Sequence, residues 1–147
     1  MTACTRPRKE VVTGWLMAVD FPLLKGEKTP CQNITLGGVE VSVLRADLNH
    51  PIIQGNKLWK LKYNLEQAHL AGCDGLLTFG GAYSNHLLAT AQAAQLLGMQ
   101  ATGVVRGDEL ANNRANWSST LKQCEQLGMQ LLFVSREEYR LKAKSSP

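Results

Sequence analysis

Short apolar runs that end in glycine and lead into helical stretches recur along this chain, and that alternation constrains its fold more than any other feature. Gly75-Leu76-Leu77-Thr78-Phe79 has the length and apolar character of a buried strand and stops at Gly80-Gly81. The stretch 85–97 that follows is apolar nearly all round, with Ala89, Ala91, Ala93 and Ala94, which predicts a buried helix lying close on the strands beneath it. Gly98 closes that helix, 101–105 reads as the next strand, 113–127 as a helix stopped by Gly128, and 131–134 as a further strand. Ser135-Arg136-Glu137-Glu138 has the spacing of a capping box that opens one more helix. The repeated Leu-Gly-Met-Gln at 97–100 and 127–130 reads as two equivalent helix-to-strand turns. Strands alternating with helices at this spacing predict an α/β fold of parallel βα units.

Earlier in the chain, 56–71 reads as an amphipathic helix with Gly72 as its terminal cap. Leu58, Leu61, Leu65 and Ala68 share one face, while Trp59, Tyr63 and Leu70 make a second stripe almost opposite, so such a helix is expected to be covered on both sides, by a sheet and by a further part, and the second stripe to stay an exposed apolar patch in this chain taken alone. Residues 39–44 alternate with period two and predict a strand with one buried face, and 22–38 read as loop, punctuated by Gly26, Pro30 and Gly37-Gly38.

Two helix openings carry the chemistry. Gln54-Gly55-Asn56-Lys57 places one lysine in the first turn of the 56–71 helix, and Gly80-Gly81-Ala82-Tyr83-Ser84-Asn85-His86 is a glycine-rich turn that opens the next. Unpaired amides at such a terminus carry partial positive charge and suit a carboxylate or a phosphate. A cation in a first turn is opposed by the helix dipole, whereas an imine-forming lysine must be neutral to attack. Both motifs also have plain structural readings, Lys57 as a solvated first-turn lysine and Ser84 as an N-cap.

Gly-Asn-Lys-Leu-Trp-Lys-Leu at 55–61 followed by Gly-Gly-Ala-Tyr-Ser-Asn-His at 80–86 resembles the 1-aminocyclopropane-1-carboxylate deaminase and D-cysteine desulfhydrase family, over roughly 29–133. The resemblance implies a tryptophan synthase beta-like (fold type II) pyridoxal phosphate enzyme. It implies that Lys57 forms the Schiff base with pyridoxal 5'-phosphate and acts as proton carrier, with Asn56 and Asn85 against the cofactor. Ser84, Asn85 and His86 are implied to receive the substrate carboxylate, Ser84 as a catalytic residue. The implied reaction releases ammonia and a 2-oxo acid from a small amino acid, such as 1-aminocyclopropane-1-carboxylate or D-cysteine, in a cytoplasmic homo-oligomer. Where the family carries a basic residue and then two acidic ones, this chain has Arg45-Ala46-Asp47, so one carboxylate is missing. Family members run about twice this length, and the expected organisation is therefore truncated. An extension over 1–21, expected to be poorly ordered, precedes a lead-in with one strand over 22–55 and the smaller α/β domain over 56–147, the phosphate-gripping second half being absent.

At 147 residues with 44% hydrophobic and 19% charged residues, the chain has the composition of one globular domain. Its net charge of +4 is dispersed along the chain without aromatic platforms, which argues against nucleic-acid binding. Cys4, Cys31, Cys73 and Cys124 form no metal-ligand spacing and read as idle thiols in a reducing compartment. The apolar run 11–19 behind Arg6, Arg8 and Lys9 is short and lacks a small-x-small cleavage site, and no stretch is long enough to span a membrane. A nucleotide-binding oxidoreductase fits poorly, because the 80–85 loop lacks Gly-x-Gly-x-x-Gly spacing and Arg106 stands where an acidic ribose ligand is wanted. The remaining alternative is a catalytically inactive remnant that folds or binds a partner.

Overall fold

The computed structural model describes residues 3–4 and 28–141. The elements are strands β1 (Ala3–Cys4), β2 (Cys31–Leu36) and β3 (Val39–Leu44), helix α1 (Asn56–Leu70), strand β4 (Gly75–Gly81), helix α2 (Asn85–Leu96), strand β5 (Gln100–Arg106), helix α3 (Ser119–Gln126), strand β6 (Met129–Val134) and helix α4 (Arg136–Leu141). The main sheet runs in the order β1, β4, β5, β6. Strands β4, β5 and β6 are parallel, with Leu76 opposite Ala101 and Ala101 opposite Met129, while β1 pairs antiparallel to β4. The extension expected over 1–21 otherwise lies outside the described residues.

Period-two alternation decides which side of the sheet is covered. Leu76, Thr78, Ala101, Val105 and Met129 are buried, while Leu77, Phe79 and Val104, which point to the other face, are only half-buried. Helix α2 packs on the buried face. Its Leu87, Ala89, Ala91 and Ala93 are fully buried, and each leucine-sized side chain so buried contributes about 2 kcal/mol of transfer free energy. The close approach needs Gly80. A Cβ there would lie 2.6 Å from both Leu87 Cγ and Ser84 Oγ, so any side chain would push the first turn of α2 off the end of β4.

Local signals account for most of the element ends. Ser84 caps α2 by accepting the Leu87 amide at 3.4 Å, and the Ser135–Glu138 capping box forms in both directions, at 2.9 Å and 3.2 Å. The two Leu-Gly-Met-Gln turns are equivalent, each with glycine at positive φ, Gly98 at 63° and Gly128 at 85°.

Three expectations are corrected. The stretch before Val39 is not all loop: Cys31–Leu36 pairs with Val39–Leu44 in an antiparallel hairpin turned by Gly37 and Gly38. Residues 39–44 have no buried face, Val41 and Val43 being half-buried and the rest exposed, because the hairpin lies apart from the main sheet. The helix expected over 113–127 starts only at Ser119. Trp117 leaves the helical path with ψ 138°, donates from Nε1 to the Leu110 carbonyl at 2.8 Å and packs on Phe133, and Ser118 then caps a new helix. Helix α1 is covered on one side: Leu58, Leu61 and Leu65 are buried, whereas Trp59, Tyr63 and Leu70 form the exposed stripe expected of this chain taken alone.

Candidate functional site

The lysine turn is set up by backbone constraints upstream of it. The Gly55 amide donates to the Ala46 carbonyl at 3.2 Å, and Gly55 takes φ 57°, a left-handed value that favours glycine, to turn the chain into α1. Nδ1 of His50 accepts the amides of both Ile52 and Ile53 at 3.0 Å, so that nitrogen carries no proton and the ring is neutral with its hydrogen on Nε2. Ile53 below is fully buried. The histidine nitrogen, the buried Ile53 and the Gly55–Ala46 bond together fix the turn, and it presents Lys57 half-buried at its end, with Nζ donating to Asn56 Oδ1 at 2.7 Å.

The second opening lies at the C-terminal end of β4, where ligands of open parallel sheets bind. The Ser84 amide donates to the Gly81 carbonyl at 3.0 Å and closes the turn, after which α2 begins. Among the described residues the amides of Asn85 and His86 meet no acceptor. They are two of the first-turn donors that a helix cannot satisfy internally.

These openings face one pocket of about 540 Å³, lined by Asp47, Asn56, Lys57, Asn85 and Gln123 among others. The volume falls in the range of small-molecule sites. Of the residues singled out from sequence, Asn56, Lys57 and Asn85 line it, whereas Ser84 and His86 are not among its lining residues. His86 is held below its ordinary value, first by burial and then by positive charge, chiefly that of Lys57. Its neutral form is thereby favoured, and the potential around α2's first turn suits an anion.

Asp47 is clamped by Arg45, Nε to Oδ1 at 2.9 Å and Nη2 to Oδ2 at 2.6 Å. The hydrogen bonds from Arg45 hold its carboxyl below the usual carboxylate range. Gln123 went unread in the sequence: it lies on α3, exposed apart from the pocket it borders, and no local motif marks it. The cysteines divide. Cys73 is disulfide-bonded, which corrects the reading of four idle thiols, while Cys124 is a buried free thiol whose pKa burial pushes up to about 11. Among the described residues no metal-ligating cluster occurs, and no described helix is long and apolar enough to cross a membrane.

No protein-family model matches the chain. A Pyrococcus abyssi protein provisionally named 1-aminocyclopropane-1-carboxylate deaminase is 45% identical over 73 residues, 50% of this chain and 22% of that protein. A Yersinia pestis D-cysteine desulfhydrase is 33% identical over 110 residues, 69% of this chain and 33% of that protein. The crystal structure of an ACC deaminase homologue superposes with a TM-score of 0.63 at 28% identity, covering 95% of this chain and 38% of the other. The chain thus spans a third or less of the length of these curated relatives. Parallel βα topology, the paired lysine and Ser-Asn openings and both comparisons agree that this chain is a relative of the 1-aminocyclopropane-1-carboxylate deaminase and D-cysteine desulfhydrase family, over the part of that family it spans.

Proposed function

We propose that the chain is the lysine-bearing α/β part of a pyridoxal phosphate-dependent deaminase or desulfhydrase acting on a small amino acid, of the kind named in its relatives, and releasing ammonia and a 2-oxo acid. The observation that carries this reading is that Asn56, Lys57 and Asn85, from two helix openings far apart in sequence, line one pocket. The residues present fit the cofactor. A half-buried primary amine and the side-chain amides of Asn56 and Asn85 line the pocket, with two unpaired backbone amides at the start of the helix that carries Asn85 and a positive potential already felt by His86.

In this reading Lys57 holds the cofactor through Nζ, with Asn56 fixing the direction of that amine, and Asn85 hydrogen-bonds the ring. The bound cofactor supplies an electron sink for charge developing at the substrate's α-carbon. Displaced from the cofactor by the substrate's own amine, Lys57 Nζ would then serve as proton carrier at the substrate, which calls for an amine that is neutral in part of the cycle. The Ser84 hydroxyl and the amides of Asn85 and His86 receive the substrate carboxylate, at a helix terminus whose dipole favours an anion. A cytoplasmic homo-oligomer is part of the same proposal.

The exposure of Trp59, Tyr63 and Leu70 on α1 favours a second reading, a folded but inactive piece whose outer helix face lacks a cover. One experiment separates the two. Pyridoxal 5'-phosphate is added to the purified chain, and its visible absorbance, its survival of dialysis, and ammonia and 2-oxo acid release from 1-aminocyclopropane-1-carboxylate and D-cysteine are measured. Retention with turnover supports the enzyme reading, while no retention leaves this chain an inactive piece.

A further inference from the structure

Helix α3 lies outside both motifs, yet its first residues are tied to the second of them. Ser118, the N-cap of α3, is 7% exposed. Its Oγ accepts the Leu121 amide at 3.2 Å and donates to the carbonyl of Ala82, in the turn between β4 and α2. A hydroxyl has one proton to give. With the cap bond taking a lone pair, that proton goes to Ala82. Two residues on, Ser84 closes the turn through its amide and caps α2 through its hydroxyl, and Asn85 enters the pocket. The same α3 brings Gln123 to the lining of that pocket.

We propose that Ser118 is a positioning residue of the candidate site, its hydroxyl locking the Ala82 carbonyl so that the Ser84 turn, the Asn85 side chain and the free amides of α2 are held toward Lys57. The inference rests on the function proposed above for what that lock serves, but the lock itself is independent of any ligand. A simple helix cap would need the oxygen of Ser118 as an acceptor and nothing more. The donated bond reaches 36 residues back in sequence, to a turn with which the helix start has no capping business.

Substitutions separate the two roles. Ser118→Thr keeps acceptor and donor. Ser118→Asp keeps a good cap but has no proton for Ala82, and its charge opposes that carbonyl. Ser118→Gly removes the hydroxyl while leaving a residue that N-cap positions tolerate well. Amide hydrogen exchange is followed in the full chain without cofactor, and the dissociation constant of pyridoxal 5'-phosphate is measured alongside. We expect Ser118→Thr to match the parent. Ser118→Asp and Ser118→Gly should keep protection within α3 but lose about tenfold at the Ser84 and Leu87 amides, with pyridoxal 5'-phosphate weakened by a similar factor, the size expected for one buried hydrogen bond. Unchanged protection at Ser84 and Leu87 in both variants would overturn the proposal. So would parallel loss in α3 and the turn in both, because Ser118 would then act only as a cap. If the parent chain itself retains no pyridoxal 5'-phosphate, the functional reading fails for this chain while the exchange result still decides the lock.

Discussion

Lys57 Nζ donates to Oδ1 of the adjacent Asn56 at 2.7 Å, across the first turn of α1 and at the edge of the pocket that Asn85 enters from α2. Adjacent residues on a helix point about 100° apart, so this contact needs the lysine to fold back over its own N-terminus instead of extending to solvent. The amine is thereby aimed, and its freedom reduced, before any ligand arrives.

The pocket amine should be distinguishable from its neighbours. Lys57→Ala should abolish the visible absorbance of added pyridoxal 5'-phosphate, and any deaminase activity, while Lys60→Ala and Lys62→Ala retain both. Lys60 is exposed and Lys62 lies 5.7 Å over the ring of Tyr63, so neither borders the pocket. Equal loss in all three, measured by spectral titration, would remove Lys57 from its assigned role.

Glycine at position 80 should be a steric requirement. Gly80→Ala places a methyl group 2.6 Å from Leu87 Cγ and Ser84 Oγ and is expected to destabilise by about 1–3 kcal/mol. Gly81→Ala meets nothing within 4 Å and should be close to neutral. Urea midpoints of the two variants test the contrast.

Ser84→Ala should cost about 1 kcal/mol as a lost cap, leaving the chain folded. If Ser84 also receives a carboxylate, substrate turnover in a catalytically competent form should fall by far more than that loss of stability explains. A fall in turnover that only tracks loss of folded protein, followed by circular dichroism, would confine Ser84 to capping.

His86 sets an acid limit. Burial, and then the charge of Lys57, hold its folded pKa below the ordinary 6.5. The unfolded chain therefore takes up a proton before the folded chain does, and stability, full above about pH 6.5, declines as the pH falls from there to the folded value. His86→Gln should flatten that decline, and Lys57→Met should raise the histidine pKa read by NMR. A rise in stability on acidification through this window would contradict the sign.

Much of the fold was legible because it is decided within a few residues. The short apolar run 75–79, the alanine-rich 85–97 and the repeated Leu-Gly-Met-Gln turns each specify their own state, and β4, α2 and β5 follow them closely. The hairpin strand Cys31–Leu36 escaped because its polar residues, Gln32 and Asn33 among them, do not alternate with apolar ones; its pairing with Val39–Leu44 does the ordering. The start of α3 escaped because Trp117 is drawn away by Phe133 and the Leu110 carbonyl, partners that no window around 113–127 contains.

By itself, then, the sequence determined where α1, α2 and α4 begin and which residues could offer an amine, an amide or a free helix terminus. Caps and left-handed glycines act within one turn, and a first-turn amide is unpaired whatever surrounds it. Only the tertiary structure decided that Lys57 and Asn85 share a pocket, that Asp47 and Gln123 border it while Ser84 and His86 do not, and that Ser118 grips Ala82. Those relations depend on how closely α2 settles on Gly80 and Gly103 and how α3 abuts it. That packing is the sum of many weak contacts between residues far apart in the chain, and no local pattern carries it.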